Sequence, residues 1–243
     1  MLAAGLWGLI GASALVAGAL VGLAFPIPRR WTALLMAFGT GALISALAFD
    51  LTEDAFAVGG AGAVAAGLAG GALTFFGGNQ ILHRRGASRR GTRVRPPDGN
   101  GPAIALGALL DGIPESVVLG STLVAGGTIG LPFLAAVFIS NVPEALSAAV
   151  DLRREGHRPA WIVGLWIGVA AVSGVAAAFG YWALGEVWGS SLAPFIQAFA
   201  AGAILTMLAD TMIPEAFADG GDLTGLATVF GFARAFLVST LSP

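Results

Sequence analysis

The chain has 243 residues, of which 56% are hydrophobic and only 11% are charged, and its formal net charge is −2. Together with a mean hydropathy of +0.85, this composition excludes an ordinary soluble globular domain and indicates a polytopic membrane protein. The sequence contains no cysteine, which excludes disulfides, thiolate metal ligands and a cysteine nucleophile.

Eight hydrophobic segments are each long enough to cross a membrane, since a bilayer core of about 30 Å needs about 20 mostly apolar helical residues. In chain order these predicted spans are 2–25, 31–56, 57–82, 102–125, 128–150, 160–184, 190–217 and 221–241. The first span is too long for a signal peptide and lacks its basic flank. We therefore predict an all-α membrane protein with eight transmembrane helices in a single domain, residues 1–243, and a polar loop at 83–101.

The arginines predict the topology. All 12 basic residues are arginines, and eleven of them lie in the loops that follow spans 1, 3 and 5. The alternate loops contain none, and the exception is Arg234 in the last span. Arginine-rich short loops are retained in the cytoplasm. The pattern therefore predicts a multi-pass protein of the cell (inner) membrane, with both termini outside and the arginine-rich loop at 83–101 in the cytoplasm.

Two distant stretches of the chain resemble each other. Residues 41–57 (GALISALAFDLTEDAFA) and 202–218 (GAILTMLADTMIPEAFA) are identical at seven of 17 positions, at a constant offset of 161. The same offset relates three pairs of glycines: Gly59 and Gly220, Gly60 and Gly221, and Gly70 and Gly231. Chance similarity between small-residue helices is the alternative, but a single fixed offset favours an internal repeat.

With the predicted topology, the two copies have opposite orientations in the membrane. Residues 1–82 and 160–243 would then form an inverted 3+2+3 repeat around the central helices at 102–150. Inverted repeats are typical of secondary transporters, which bind their substrate near the bilayer midplane. The repeat thus favours a transporter.

Acidic residues are frequent inside the predicted spans. Eight of the 14 lie there: Asp50, Glu53, Asp54, Asp111, Glu115, Glu144, Asp210 and Glu215. A charge at the bilayer centre costs about 2.5–3.5 kcal/mol, and Arg234 is the only basic residue within the spans. These acids must therefore be protonated, face water or bind a cation. Asp111 and Glu115 are four residues apart, which places both on one face of span 4.

Three spans contain a Pro-Glu pair: Pro114-Glu115, Pro143-Glu144 and Pro214-Glu215. Proline frees the backbone carbonyl four residues earlier in a helix, and a freed carbonyl at membrane depth needs an ion, water or another partner. Each pair therefore offers a carboxylate close to a backbone oxygen. A simple kink with a helix-capping acid stays open as the alternative for Asp54 and Glu215, which lie near span ends. We expect Asp219 and Asp222 in a short solvated loop.

The motifs of the two central spans carry a family resemblance. Span 4 reads Asp-Gly-Ile-Pro-Glu-Ser at 111–116, and span 5 reads Ser-Asn-Val-Pro-Glu-Ala at 140–145. Together with the topology, they resemble the ZIP (Zrt-, Irt-like protein) family of divalent metal transporters. In that family span 4 carries His-Asn-x-x-Glu-Gly, and span 5 carries His/Gln–Asn/Glu–x–Pro–His/Glu. The resemblance implies metal ligands at five positions: Asp111, Glu115, Ser140, Asn141 and Glu144.

Several positions depart from the family pattern. Asp111 replaces the family histidine, Gly112 replaces its asparagine, and span 6 (160–184) contains no acid. These departures favour one ion site over a two-metal centre. The remaining ligands are all oxygens, which suit Mn²⁺ better than Zn²⁺, whereas the resemblance implies zinc or iron. We therefore expect the transported ion to be Zn²⁺, Mn²⁺ or Fe²⁺, with no cofactor.

The resemblance implies that a divalent cation moves into the cytoplasm through the site between spans 4 and 5. Four further acids are expected to line its entrance or exit: Asp50, Asp54, Asp210 and Glu215. The resemblance also implies a homodimer in which the central helices move against a scaffold of spans 2, 3, 7 and 8. The expected partners are the metal ion and the lipid bilayer, and not nucleic acid.

Two other functions remain open from the sequence. The buried acids could form a proton relay for a small organic substrate, and the loss of family ligands could leave a transport-inactive ZIP-like protein. An intramembrane aspartyl protease is disfavoured, because Asp111 and Glu115 lie on one helix whereas a catalytic dyad needs facing helices. We therefore expect no enzyme activity.

Overall fold

The computed structural model describes residues 1–84, 101–126, 130–190 and 192–241. These residues are almost entirely helical and include no strand, which confirms the prediction of an all-α fold for this part of the chain. Most of the predicted loop at 83–101 lies outside the described residues, together with its arginines from Arg85 to Arg95. The α-helices are α1 Leu2–Ala24, α2 Arg29–Ala46, α3 Glu53–Arg84, α4 Gly101–Gly126, α5 Leu131–Arg154, α6 Pro159–Val187, α7 Leu192–Met207, α8 Ile213–Gly220 and α9 Thr224–Leu241.

Six helical segments of the described chain are long and apolar enough to cross a membrane, by length and composition. They are Leu2–Ala24, Arg29–Ile81, Leu106–Val124, Leu131–Arg154, Pro159–Val187 and Leu192–Thr240. Four of them match predicted spans 1, 4, 5 and 6. The other two are 53 and 49 residues long, and each contains two predicted spans end to end. The membrane character of the chain is thus confirmed, whereas the eight predicted spans are found as six segments.

Each of the two long segments contains a glycine with a left-handed backbone. Gly60 has φ 70° and ψ 178° inside α3, where it kinks the helix. Gly221 has φ 63° and ψ −143° directly after α8. Residues with a side chain rarely adopt this conformation. The predicted boundary between 56 and 57 is therefore wrong by a few residues, because the helix continues to Gly60 before it bends.

Each long segment also contains a π-helical stretch, with one extra residue in the turn. The first is Leu47–Thr52, and the second is Leu208–Met212. In the first, the Thr52 hydroxyl donates a hydrogen bond of 2.7 Å to the Leu47 carbonyl oxygen. Pro214 follows the second stretch in the first turn of α8, where its missing N–H frees a backbone carbonyl of that stretch. Short π-helical stretches often occur at functional sites.

Glycines allow the helices to pack backbone against backbone. A Cβ at Gly41 of α2 would overlap the Thr228 carbonyl oxygen of α9, and a Cβ at Gly202 of α7 would overlap the Leu68 carbonyl oxygen of α3. Other close approaches join α1 to α5 and α4 to α6. They occur at Gly18 against Val142 and at Gly180 against Val117. Such close approach is typical of transmembrane helices, whose association depends on small residues.

The central helices α4 and α5 contribute to two hydrophobic cores. The larger core joins them to α2, α3 and α7, and its buried members include Leu43, Leu119, Phe133 and Ile204. The second core joins them to α1 and α6 around the fully buried Trp166. The two central helices therefore lie in the interior, with packed helices on either side. The polar residues Asp111, Glu115, Ser140 and Asn141 of these helices are buried.

Candidate functional site

Glu115 is the most deeply buried acid in the described part of the chain. It lies on α4, one residue after Pro114, and is only 3% exposed. The carboxylates of Glu144 and Asp111 are close enough to interact with it electrostatically. The structure therefore brings together three of the acids predicted as metal ligands.

Helix α5 supplies the remaining predicted ligands. Ser140 and Asn141 are buried, and Glu144 is half-buried one turn further along. The Ser140 hydroxyl donates a 2.9 Å hydrogen bond to the Val137 carbonyl oxygen, which leaves its lone pairs as acceptors. Helix α2 closes the other side, because a Cβ at Gly39 would lie 2.7 Å from the Ser140 Cα. The site is thus bounded by α4, α5 and α2.

Helix α6 contributes a hydroxyl that was not predicted. Ser173 is buried, and its Oγ would lie 3.5 Å from a Cβ at Gly112, next to Asp111 in the chain. Ser173 is the only serine of predicted span 6. A polar residue inside this apolar span could have indicated a functional position. Helix α6 therefore places a buried hydroxyl against α4 at the position next to Asp111 in the chain.

The described residues include no group of three or more His, Asp or Glu side chains that could together hold a metal ion. The acids Asp111, Glu115 and Glu144 are therefore neighbours without converging on one point. A cation bound here would take its other ligands from neutral oxygens such as those of Asn141, Ser140 and water, or would need α4 and α5 to move together. Carboxylate, amide and hydroxyl oxygens are ligands for hard divalent cations.

The four predicted pathway acids do not form one group. Asp50 lies in the first π-helical stretch, is half-buried, and accepts a hydrogen bond from the Ser239 hydroxyl of α9. Asp54 and Asp210 are exposed. Asp54 is close enough to Asp50 to interact with it electrostatically. The positions of Asp50 and Asp54 are compatible with access from the end of the bundle at which α3 begins, whereas Asp210 lies five residues before Glu215 on the same helical segment.

Glu215 lies at the opposite end of the bundle. It lines a cleft with Arg29, the first residue of α2, whereas Asp50 comes 21 positions after Arg29. At about 1.5 Å of rise per residue, that separation along the helix is about 30 Å. Asp50 and Glu215 therefore cannot line the same mouth. If both belong to a pathway, one lies at its entrance and the other at its exit.

The cleft beside Glu215 contains residues that were not predicted as functional. The Ser147 hydroxyl of α5 donates a 3.4 Å hydrogen bond to Glu215 Oε1. Asp151 pairs with Arg29 across 122 positions of sequence, so no local pattern could have indicated their contact. Asp219 also lines the cleft and lies within α8, which corrects the prediction of a solvated loop at that position.

No protein-family model matches the sequence, and no curated protein matches it. The resemblance to the ZIP family therefore depends on the motif residues of α4 and α5 and on the predicted topology. The function has to be argued from the geometry and chemistry of the site.

Proposed function

We propose that the protein is a ZIP-like transporter that moves a divalent metal cation into the cytoplasm through the site between α4 and α5. The proposal depends mainly on the burial of the Glu115 side chain. Its carboxylate is almost completely buried at the centre of a membrane-type helix, and the carboxylates of Glu144 and Asp111 are close enough to repel it.

A buried carboxylate is stable only if it is protonated, paired or bound to a cation. The nearby carboxylates of Glu144 and Asp111 add repulsion that protonation of Glu115 alone would remove only in part. A divalent cation bound between the three carboxylates would remove this repulsion. The site is therefore suited to a cation that binds and is then released, as a transported ion is.

The ligand set favours a hard cation. Asp111, Glu115 and Glu144 offer carboxylate oxygens, Asn141 offers an amide oxygen, and Ser140 offers a hydroxyl. Zinc prefers nitrogen and sulfur ligands, whereas an all-oxygen site suits Mn²⁺ or Mg²⁺. We propose that Mn²⁺ is carried in preference to Zn²⁺, and that Fe²⁺ lies between them.

We also propose that the two halves of the chain form an inverted repeat. The glycines with a left-handed backbone, Gly60 and Gly221, are 161 positions apart. So are Leu47 and Leu208, the first residues of the two π-helical stretches. The matching stretches 41–57 and 202–218 are related by the same offset of 161 positions. Two unusual backbone features at equivalent positions support a common ancestral fold for the halves more strongly than the sequence identity does.

Helix packing supports the same repeat. Phe38 and Phe199 are 161 positions apart. A Cβ at Gly231 would overlap the Phe38 carbonyl oxygen, and a Cβ at Gly71 would overlap that of Phe199. The contact between α2 and α9 therefore has a counterpart in the contact between α7 and α3. The offset of 161 relates Phe38 to Phe199 without a shift and relates Gly231 to Gly71 with a shift of one residue.

Eight membrane crossings follow from this arrangement. A 53-residue helix would extend about 80 Å at roughly 1.5 Å per residue, far beyond a bilayer core of about 30 Å. We propose that the chain turns back at Gly60 and again at Gly221. Both termini would then lie outside the cell membrane, with the arginine-rich ends of the helices in the cytoplasm. The homodimer implied by the family resemblance is part of the same proposal.

Uptake into proteoliposomes tests the function directly. Zn²⁺, Mn²⁺, Fe²⁺ and Mg²⁺ are supplied at equal free concentration to vesicles with wild-type protein, Glu115→Gln or Glu144→Gln. Glu186→Gln, an exposed acid at the end of α6, is the matched control. We expect saturable uptake, highest for Mn²⁺, that both site variants abolish and the control retains.

Two results would contradict the proposal. If Glu115→Gln and Glu144→Gln both transport at the wild-type rate, the site is wrongly assigned. If folded wild-type protein takes up none of the four ions, a proton-coupled transporter of an organic substrate or a transport-inactive protein becomes the better interpretation.

A further inference from the structure

A cleft opens between the start of α2, the end of α5 and α8. Its polar lining comes from three helices that are far apart in sequence: Arg29, Thr32, Ser147, Asp151, Arg154, Glu215 and Asp219. We call this the α2–α5–α8 cleft. It lies at the end of the bundle that carries the arginines of α2 and α5.

Thr32 is the residue that suggests a ligand. It is only 6% exposed, it lines the cleft, and its Oγ1 has no hydrogen-bond partner in the described part of the chain. A buried hydroxyl without a partner is costly, and such groups in folded proteins usually have a bound water, ion or ligand. The neighbouring Thr40 of the same helix shows the ordinary arrangement, since its hydroxyl donates to the Met36 carbonyl oxygen at 2.9 Å.

The charges in the cleft are arranged in two groups. On one side, the guanidinium groups of Arg29 and Arg154 both approach Asp151 Oδ1, at 2.9 and 3.6 Å. On the other side, Glu215 and Asp219 are four residues apart on α8 and both line the cleft. The arginines are thus already held by a carboxylate, which disfavours an anionic ligand. The α8 carboxylates favour a cation.

Helix α5 connects the cleft to the central site. Glu144, Ser147 and Asp151 are spaced by three and four residues, so they share one face of that helix. The rise from Glu144 to Ser147 is about 4.5 Å. Ser147 in turn donates to Glu215 across the cleft. A row of oxygen atoms therefore leads from the central acids to α8.

We propose that the α2–α5–α8 cleft is a second binding site for a divalent cation, held by the carboxylates of Glu215 and Asp219 with Thr32 Oγ1 and Ser147 Oγ as neutral ligands. The oxygen-only donor set selects a hard cation such as Mn²⁺. The role of the site rests on the proposed function: it receives the transported ion on the arginine-bearing side. Binding itself does not depend on that role.

Mn²⁺ binding to the purified full-length protein, followed by electron paramagnetic resonance of the free ion, tests the proposal. Four proteins are compared: wild type, Glu215→Gln/Asp219→Asn, Glu115→Gln/Glu144→Gln, and the combination of all four substitutions. We expect each double variant to bind one Mn²⁺ fewer per chain than wild type, and the combination to bind none. A cleft variant with the stoichiometry and affinity of wild type overturns the proposal.

A second variant keeps the test decisive if the double variant fails to fold. Thr32→Val removes the hydroxyl while retaining the side-chain volume, and it takes away a buried polar atom that has no partner. We expect unchanged folding and roughly tenfold weaker Mn²⁺ binding at the cleft, the effect of losing one ligand worth about 1.4 kcal/mol. Thr40→Val is the control and should bind as wild type does. Equal Mn²⁺ affinity for Thr32→Val and wild type would overturn the assignment.

The two proposals fail in different ways. Loss of one Mn²⁺ in the cleft variant but not in the Glu115→Gln/Glu144→Gln variant supports the cleft and contradicts the central site. The reverse result contradicts the cleft alone. Binding of phosphate that Arg29→Gln and Arg154→Gln abolish, with Mn²⁺ binding unchanged by the α8 substitutions, would make the cleft an anion site and overturn the inference.

Discussion

The Arg29 guanidinium lies 2.9 Å from the Asp151 carboxylate and ties the first turn of α2 to the last turn of α5. Arg154 approaches the same carboxylate oxygen at 3.6 Å. The Arg29 side chain is 55% exposed and that of Asp151 is 22% exposed. The pair therefore joins two helices at the edge of the bundle, where water and salt screen charges.

Loss of the two partners should have unequal effects. Arg29→Gln removes one exposed ion pair and should cost less than about 1 kcal/mol of unfolding free energy. Asp151→Asn leaves two guanidinium groups without this acceptor and should cost more. Thermal unfolding of both variants in detergent, at low and high salt, checks the order. An equal effect of the two substitutions, or no dependence on salt, would contradict a shared carboxylate.

Glu115→Gln should leave the protein at least as stable as wild type when no metal is present. The substitution keeps the shape of the side chain, and without a bound cation the buried acid is either protonated, so that one neutral group replaces another, or repels Glu144 and Asp111. Excess Mn²⁺ should reverse the order, because a ligand at 100 times its Kd stabilises the wild type by about 2.7 kcal/mol. Thermal unfolding with and without Mn²⁺ is the measurement. A metal-free variant less stable than wild type would show that Glu115 has a structural partner.

How far the sequence predicted the fold depends on the kind of interaction involved. The helices at 2–25, 128–150 and 160–184 follow from apolar length, and the structure agrees to within a few residues. The bend at Gly60 was missed by a few residues, since apolar residues continue on both sides and a left-handed φ has no hydropathy pattern. Length and composition thus locate the helices but not the bends between them.

The same distinction applies to the candidate site: the sequence predicted neighbours within one helix but not contacts between helices. Spacing along single helices predicted that Asp111 and Glu115 share a face, and the structure places Glu144 of α5 near them. Ser173 and Thr32 were missed because their proximity to acids depends on which helices pack together. Local spacing can indicate a ligand group on one helix, but tertiary packing decides what faces it. The metal assignment itself stays a prediction.

Gly71→Ala should destabilise the protein far more than Gly77→Ala, although both lie on α3. A Cβ at Gly71 would overlap the Phe199 carbonyl oxygen, whereas a Cβ at Gly77 meets nothing within 4 Å. Overpacking of this kind costs about 1–3 kcal/mol, while alanine at an open helical position is neutral or favourable. Thermal unfolding of the two variants decides. Equal stability would mean that α3 and α7 are not in backbone contact.

Cysteine labelling should distinguish eight membrane crossings from six. The sequence has no cysteine, so single introduced cysteines report position without background. Leu2, Glu155 and Ser190 are all exposed. If the chain turns back at Gly60, cysteines at 2 and 190 should react with a membrane-impermeant maleimide added outside, and one at 155 should react only after permeabilisation.

The opposite labelling pattern would contradict the bend at Gly60. If the segment from Arg29 to Ile81 crosses the membrane only once, positions 155 and 190 exchange sides while position 2 stays outside. A cysteine at 155 would then react from outside, and one at 190 would be protected until the membrane is permeabilised. Because position 2 behaves the same way in both cases, it serves as the control for orientation.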